Sequence, residues 1–178
     1  PLGKIILKTE FELKRFEECI EPFVYPNKIQ TKDFLDIGKY PIIDQSENYI
    51  AGYSNDESYL IKVKKPVTIF GDHTRIIKYV DFDFCLGADG VKVLIPKPDF
   101  DPTFFYYLIN SLEIQNLGYS RHYKLLKERE IPCPPMKFQK EIASELLAIE
   151  KRIAEAKEII NVSEKNKIGI MNKKIWGK

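Results

Sequence analysis

The sequence has no apolar segment long enough to cross a membrane, and it has few cysteines. No run of about 18 apolar residues occurs, and charged residues interrupt the N-terminal PLGKIILKTEFELK, so we do not expect a signal peptide. Cys19, Cys85 and Cys133 are the cysteines of the chain. Their odd number and irregular spacing are typical of a reduced protein. We therefore expect a soluble, cytoplasmic protein.

The sequence also lacks motifs for catalysis and for cofactor binding. GADG at residues 87–90 matches neither a phosphate-binding loop nor a dinucleotide-binding pattern and predicts a turn. Neither a second metal-ligand cluster nor a nucleophile with a base is evident. We therefore predict that the chain is not an enzyme and has no catalytic residue, no metal site and no cofactor of its own. A small hydrolase that uses Asp72 and His73 as an acid–base pair remains an alternative.

Positive charge is scarce in the larger part of the chain. The whole sequence has a formal net charge of +2, but residues 1–135 contain 18 basic and 20 acidic side chains. A domain that grips DNA only by its phosphates is expected to be basic. Any DNA binding by this part of the chain must therefore come from a local patch. A coiled-coil adaptor whose acidic head binds another protein is the main alternative.

The spacing of apolar residues predicts an α+β fold. Phe11, Phe16, Ile20 and Phe23 share one helical face, which indicates a short helix within residues 11–25. Residues 58–72 alternate as two strands split near Pro66, and residues 74–97 continue as two more, whereas residues 40–56 are turn-rich. An aromatic helix is expected over residues 102–118, with Pro102 at its first turn and Gly118 as its C-cap.

The C-terminal part of the sequence has the clearest pattern. Apolar residues step by three or four positions from Phe138 to Ile160, and the other faces are charged. This pattern predicts a helix over residues 137–160 that is ~36 Å long. Packing of this helix on its own domain is one interpretation, and an intermolecular or inter-repeat coiled coil is the other. The coiled-coil seam would consist of Ile142, Leu146, Ile149, Ile153 and Ile160.

The segment IPCPP followed by FQKEIASEL carries a family resemblance. It resembles the end of a target recognition domain in the specificity (S) subunit of Type I restriction–modification enzymes, where an Ile-Pro-x-Pro-Pro segment and a Gln precede a long helix. The matching residues here are Ile131, Pro132, Pro134, Pro135, Gln139, Ile142 and Leu146. YPIIDQSENYIAGY, FGDHTRIIKYVDFDFCLGADGVKVLIP and FFYYLINSLEIQNLG stand upstream in the order that such domains show.

The resemblance implies a domain organisation and a set of partners. Residues 4–135 would form a target recognition domain that binds double-stranded DNA, and residues 136–176 a helical arm that pairs antiparallel with another such helix. A full S subunit has two recognition domains, so this chain would be a half subunit that forms a homodimer or a fragment of a longer protein. Its partners would be a methyltransferase (modification) subunit that uses S-adenosylmethionine and a restriction subunit that uses ATP and magnesium.

Three polar stretches are the predicted DNA contacts, because their side chains can bond to base edges or phosphates. The residues are Gln45 and Ser46 in DQSENY, His73, Thr74, Arg75 and Lys78 in FGDHTRIIKY, and Tyr119, Ser120, Arg121, His122 and Lys124 in GYSRHYK. In DQSENY, Asn48 has the same amide chemistry as Gln45, which suits adenine. Each stretch also has a structural interpretation, as a turn in which Asp72 caps backbone amides and Arg75 pairs with a carboxylate, or as a solvated linker.

Overall fold

The computed structural model of the protein describes residues 11–87, 90–118 and 120–177. The strands are β1 Leu13–Arg15, β2 Ile20–Glu21, β3 Tyr40–Ile43, β4 Gly52–Ser54, β5 Leu60–Ile61, β6 Val67–Gly71, β7 Ile77–Val80, β8 Phe84–Leu86, β9 Val91–Pro96 and β10 Glu130–Pro132. The helices are α1 Pro102–Ser111, α2 Tyr123–Lys127 and α3 Met136–Met171. The chain divides into two compact units, Pro1–Gln139 and Lys140–Lys178. This mixture of strands and helices confirms the predicted α+β class. Among the described helices, none is both long and apolar enough to cross a membrane.

Two four-stranded sheets share the core of the first unit. One has the strand order β2–β9–β6–β7 and is antiparallel throughout. The other has the order β4–β3–β8–β5, in which β3 and β8 run parallel. The main apolar cluster takes residues from both sheets, so the core lies where the sheets meet. Its buried members are Ile43, Val67, Ile69, Val80, Phe84, Leu86, Val91 and Val93.

The predicted helix within residues 11–25 is wrong. The segment instead forms β1, a single 3-10 turn at Phe16–Glu18, and β2. β1 pairs with β10 and β2 pairs with β9, both far away in the sequence. The side chain of Phe16 is completely buried. Long-range strand pairing therefore decides the structure here, and the apolar spacing that indicated a helix reflects burial at a turn.

The strands of the middle region are partly as predicted. The split near Pro66 is confirmed, because β5 ends at Ile61 and β6 begins at Val67. Residues 74–97 contain three strands instead of two, since β8 leaves the first sheet and joins the second. β3 and β4 were missed within residues 40–56. Both are short and lie in a stretch rich in turn residues, so their local pattern carries little strand signal.

Helix α1 begins as predicted but ends earlier. Asp101 is its N-cap, with a side-chain carboxylate that accepts the amide N–H groups of Thr103 and Phe104 at 3.0 Å, and Pro102 occupies the first turn. The helix ends at Ser111, because Leu112 has extended backbone angles. Gly118 is not its C-cap. It lies in the following loop with φ +68°.

A buried glutamine holds the chain at the start of α3. The Gln139 side chain has no exposed surface. Its Nε2 donates to the carbonyl oxygens of Asp99 at 2.8 Å and Pro134 at 2.7 Å, and its Oε1 accepts the Asp101 amide N–H at 2.8 Å. The proline segment thus begins as strand β10, which pairs with β1. It is followed by a clamp, by which we mean the three hydrogen bonds of the Gln139 side chain to Asp99, Asp101 and Pro134. The compact unit extends to Gln139, past the predicted boundary at residue 135.

The second unit consists of the part of α3 from residue 140 onward, followed by one π-helical turn at Asn172–Trp176. The whole of α3 has 36 residues, which gives a length of ~54 Å at ~1.5 Å per residue. It therefore continues beyond the predicted end at residue 160. Ile149 and Ile153 are each 48% exposed and Ile160 is 61% exposed. The predicted seam is therefore an apolar face open to solvent in a single chain, and Ile142 and Leu146 lie on the same helical face.

Replacement of Gln139 by alanine is expected to destabilise the first unit by about 2–4 kcal/mol. The substitution removes a partner from the buried Pro134 carbonyl oxygen and from the partly buried Asp99 carbonyl oxygen and Asp101 amide N–H. A fully buried group left unpaired costs about 1–3 kcal/mol, and partly buried groups cost less. Urea denaturation measures the change, and Lys140→Ala is the matched control because Lys140 is exposed at the adjacent position of the same helix. Equal midpoints for the two variants would contradict the clamp.

Candidate functional site

Three polar loops are connected to one another by hydrogen bonds. They are residues 44–49 after β3, residues 72–76 between β6 and β7, and residues 113–122 after α1, and we call them the loop cluster. All three of the predicted stretches contribute to it. No local pattern in the sequence predicts that the three stretches meet, so their convergence is a result of the fold.

Gln45 joins the first loop to the second. Its Oε1 accepts the His73 amide N–H at 3.0 Å, and its backbone carbonyl accepts the Thr74 hydroxyl at 2.7 Å. Ser46 turns inward, because its hydroxyl donates to Asp44 Oδ1 at 2.6 Å and its amide N–H donates to the same oxygen at 2.9 Å. The predicted readers Gln45 and Ser46 therefore also build the loops.

Asp72 joins the second loop to the third. Its carboxylate is buried, and Oδ1 accepts the Tyr123 amide N–H at 2.8 Å. Its backbone carbonyl accepts the His122 amide N–H at 2.7 Å, and its own amide N–H donates to Gly90 at 2.7 Å. Lys92 Nζ lies 3.9 Å from the other carboxylate oxygen. This arrangement matches the structural interpretation of Asp72 as a cap for backbone amides. It disfavours the hydrolase alternative, because the carboxylate that would act as acid or base is buried and bonded to the backbone.

His122 is an internal support of the cluster. Its side chain has no exposed surface. Nε2 accepts the Leu117 amide N–H at 3.1 Å, so the ring proton resides on Nδ1, which lies 3.0 Å from the Asp72 carbonyl oxygen. The prediction that His122 contacts DNA is therefore corrected. A ring with both nitrogens bonded inside the protein holds the third loop in place.

Lys78 also requires correction. Only 4% of its side chain is exposed, and Nζ donates to the Asn48 carbonyl oxygen at 2.6 Å. Asp44 Oδ1 lies 3.6 Å from the same ammonium. Burial lowers the pKa of Lys78, and the negative charge of Asp44 opposes that shift. The ammonium is thus directed into the first loop, and a phosphate contact is incompatible with this burial.

Arg75 has an unusual backbone. It has φ +62° and is the one non-glycine residue with positive φ among the described residues. Its guanidinium Nη1 donates to the Ile114 carbonyl oxygen at 3.1 Å, so the observed partner is a backbone carbonyl of the third loop. One guanidinium nitrogen of Arg75 is therefore engaged with the third loop. Direct base contact by Arg75 remains a prediction.

The outer surface of the cluster holds the remaining predicted contacts. Thr74, Arg121 and Lys124 are exposed. His73 is half-buried, with Nδ1 3.2 Å from the Ser120 carbonyl oxygen, which bridges the second and third loops. Tyr119 lies outside the described residues. The exposed surface therefore offers the Arg121 guanidinium and the Lys124 ammonium, whereas the Thr74 hydroxyl donates to the Gln45 carbonyl oxygen. The role of these residues in DNA contact remains a prediction.

Several residues of the site were missed by sequence reasoning. Tyr123 packs its ring against Phe16 and Phe70, and Lys92 lies over that ring at 5.4 Å. Burial raises the pKa of Tyr123 to about 12. An aromatic residue inside a basic stretch was the available signal, because a tyrosine beside charged residues is often the one that anchors a loop to the core.

The arrangement suits recognition better than it suits chemistry. No group of three or more histidine, cysteine or acidic side chains within the described ranges is placed to hold a metal ion. The acidic groups Asp44 and Asp72 each accept hydrogen bonds from backbone amides. The loop cluster presents mixed donors and acceptors on a preformed surface, which is the chemistry needed to contact polar edges.

Comparison with known proteins points to one family. Residues 10–165 match the family described as "Type I restriction modification DNA specificity domain". A specificity subunit of a type I restriction enzyme of Escherichia coli is 29% identical over 143 residues, which are 75% of this chain and 35% of the relative. This chain therefore spans about a third of that curated relative.

Solved structures give the same fold. The S subunit of a type I restriction–modification system from M. genitalium matches with a TM-score of 0.65 at 17% identity, over 96% of this chain and 47% of that one. The HsdS subunit from Thermoanaerobacter tengcongensis matches with a TM-score of 0.54 at 16% identity, over 89% and 42%. The chain corresponds to less than half of each of these subunits.

Replacement of Gly90 by alanine is expected to loosen the contact between Gln45 and His73. Gly90 has φ +86°, and a Cβ would lie 2.7 Å from Gln45 Nε2 and 2.8 Å from the His73 ring. Gly118→Ala is the control, because Gly118 also has positive φ but a Cβ there meets nothing within 4 Å. The control should lose about 1–2 kcal/mol from backbone strain alone.

Gly90→Ala should lose more stability than the control and should also speed hydrogen exchange at the His73 amide. Both quantities are measured in the free protein, by urea denaturation and by exchange. The same stability loss in the two variants, with unchanged exchange at His73, would show that the loops do not depend on this close approach.

Proposed function

The chain belongs to the type I restriction modification DNA specificity family, and we propose that it recognises a specific sequence in double-stranded DNA. The observation that carries this proposal is the convergence of three polar loops into one preformed surface. Gln45 and Asp72 join those loops by hydrogen bonds, so little ordering entropy is lost when a rigid partner docks. Base edges in the major groove present the donor and acceptor patterns that such a surface can distinguish.

The role of the chain is to direct other subunits to the site. The partner would be a methyltransferase subunit that uses S-adenosylmethionine and flips its target base out of the stack. A restriction subunit that uses ATP and magnesium would join in a complete system. This chain would contribute no catalytic group and no cofactor, and the assembly would work in the cytoplasm, where duplex DNA and both cofactors are available.

The charge of the first part of the chain indicates how DNA would be held. Residues 1–135 have slightly more acidic than basic side chains. Binding by general phosphate attraction would therefore be weak, and the salt dependence of the affinity would be shallow. Specific contacts, or additional contacts from a partner subunit, would supply the rest of the affinity. Arg121 in the third loop and Lys124 at the start of α2 are exposed cations that could make such specific contacts.

The long helix suits pairing with a similar helix. Ile149, Ile153 and Ile160 lie exposed on one face, and burial of such a face against another helix is the usual way to remove it from water. Two copies of the chain that pair through this face would be related by a two-fold axis and would read a split palindrome. An antiparallel pairing of the helices would set the distance between the two half-sites.

One alternative from another class keeps a supporting observation. The acidic excess in residues 1–135 also suits a coiled-coil adaptor whose head binds a basic protein. Such an adaptor would show no duplex binding even at low salt. It would also keep its partner complex when Arg75 and Arg121 are replaced.

Replacement of Arg121 by alanine is expected to weaken binding to the preferred duplex by about 1–3 kcal/mol, because an exposed guanidinium can fork onto a guanine. Fluorescence anisotropy with duplexes that differ at single base pairs gives the free energies. Arg152→Ala removes the same side chain from the exposed helix and serves as the control. A loss that is equal for all duplexes would instead assign Arg121 to a phosphate.

Introduction of aspartate at Leu146 and Ile153 together is expected to convert the dimer into a monomer, since two carboxylates would be buried in the seam. Ser144→Asp with Lys151→Asp is the matched control, because it has the same seven-residue spacing on another face of the helix. Sedimentation velocity distinguishes the states, and circular dichroism reports whether the first unit stays folded. Dimers of the same stability for both double variants would rule out this seam.

A further inference from the structure

Asn48 stands at the tip of the first loop. Its side chain is exposed, whereas its backbone carbonyl accepts a hydrogen bond from the buried Lys78 ammonium at 2.6 Å. The backbone of Asn48 is therefore fixed by the buried Lys78, while its side chain faces solvent. A carboxamide can donate and accept at once, and this pair of bonds matches N6 and N7 of adenine.

Support of a loop by the buried Lys78 ammonium has a high desolvation cost. A charged group inside a protein is tolerated when it is paired and hydrogen-bonded, and an apolar side chain of similar size would avoid the desolvation cost. Here the pairing is with Asp44, and the hydrogen bond is to Asn48. These two partners stand at opposite ends of a five-residue segment. Lys78 therefore fixes the span of the loop, which an apolar side chain cannot do.

Other bonds fix the loop on both sides of its tip. Asp44 Oδ1 accepts both the amide N–H and the hydroxyl of Ser46. The Tyr49 hydroxyl donates to the backbone carbonyl of Tyr79, the residue that follows Lys78 on β7. The backbone before and after Asn48 is consequently anchored to one strand. Glu47 is exposed beside the tip, and its carboxylate would repel phosphates, which favours a base edge as the group that the tip meets.

We propose that Asn48 is a specificity-determining residue that reads an adenine, and that Lys78 is a positioning residue that presents it. This inference rests on the proposed function, and among the amides of DQSENY, whose chemistry suits adenine, it selects Asn48 because the Gln45 side chain is bonded to the second loop. It also gives Lys78 a role that differs from a phosphate contact. The two residues act on the same base pair, one by contact and the other through the loop.

The test compares Asn48→Ala and Lys78→Met, each together with the methyltransferase subunit, in selections from a randomised duplex library, followed by titrations of the selected duplex at several salt concentrations. Both variants should lose discrimination at the same base-pair position, by about 10- to 100-fold. Both should keep the wild-type slope of log affinity against log salt, because neither removes a phosphate contact. Lys62→Met is the matched control, since Lys62 belongs to none of the three loops and its side chain is 75% exposed and pairs with Glu57, and it should keep the wild-type preference.

Three results would overturn the proposal. Asn48→Ala could retain the full wild-type preference, the two variants could change preference at different positions, or Lys78→Met could lower the salt slope by about one unit while it leaves the preference intact. The last result would mark a phosphate contact. Lys78→Gln, which keeps a polar group at the buried site, replaces Lys78→Met if methionine prevents folding.

Hydrogen exchange in the free protein separates this inference from the proposed function. Lys78→Met should speed exchange of the amides of residues 46–49 without a comparable change in the strands of the first sheet. Unchanged exchange at these amides would overturn the positioning role whatever the DNA results. If the wild-type chain selects no sequence, the proposed function and the reading role of Asn48 both fail, whereas faster exchange would still support Lys78 as the anchor of the loop.

Discussion

The hydrogen bonds of Asp72 hold the loop cluster together. This one buried residue bonds to Gly90, His122 and Tyr123, and thus connects the hairpin loop of the first sheet with the loop after α1. Burial of the Asp72 carboxylate would be costly without a partner. The Tyr123 amide N–H supplies a hydrogen bond to it and the Lys92 ammonium lies 3.9 Å away, whereas Gly90 and His122 bond to the Asp72 backbone. Gln45 connects the first loop to the second by further hydrogen bonds. The polar surface depends on such bonds, because surface loops bury few apolar side chains that could hold them in one conformation.

The molecule separates the residues that build the surface from those that face solvent. Lys78 and His122 are buried and support the loops from inside the protein. Asn48 and Arg121 are exposed on those same loops. A surface prepared in this way suits recognition of a rigid duplex, in which affinity and specificity are lost if the loops must first be ordered. The second unit differs in that the side chains exposed on one face of its helix are apolar, which suits contact with another helix. The two units thus suit different kinds of contact, polar and specific in one, apolar and repetitive in the other.

The fold could be predicted from the sequence where local patterns agree with burial. The strand break near Pro66, the capped start of α1 and the long C-terminal helix follow from proline positions, an N-cap and apolar periodicity. Residues 11–25 could not be predicted, because distant strands decide their conformation. The candidate site was found as three separate stretches, but their roles were partly misassigned. Lys78 and His122 were taken for surface residues since such side chains are usually exposed, and only the three-dimensional structure shows which polar groups face inward.

The most direct measurement is selection of a randomised duplex library by the chain together with its methyltransferase subunit. The account predicts enrichment of two short inverted half-sites at a fixed spacing, because each first unit would read one half-site and the paired helices would set the interval. Enrichment of a single asymmetric short site would support the recognition role and would contradict the homodimer. Failure to enrich any sequence, while the protein complex still forms, would contradict the central claim and favour the adaptor.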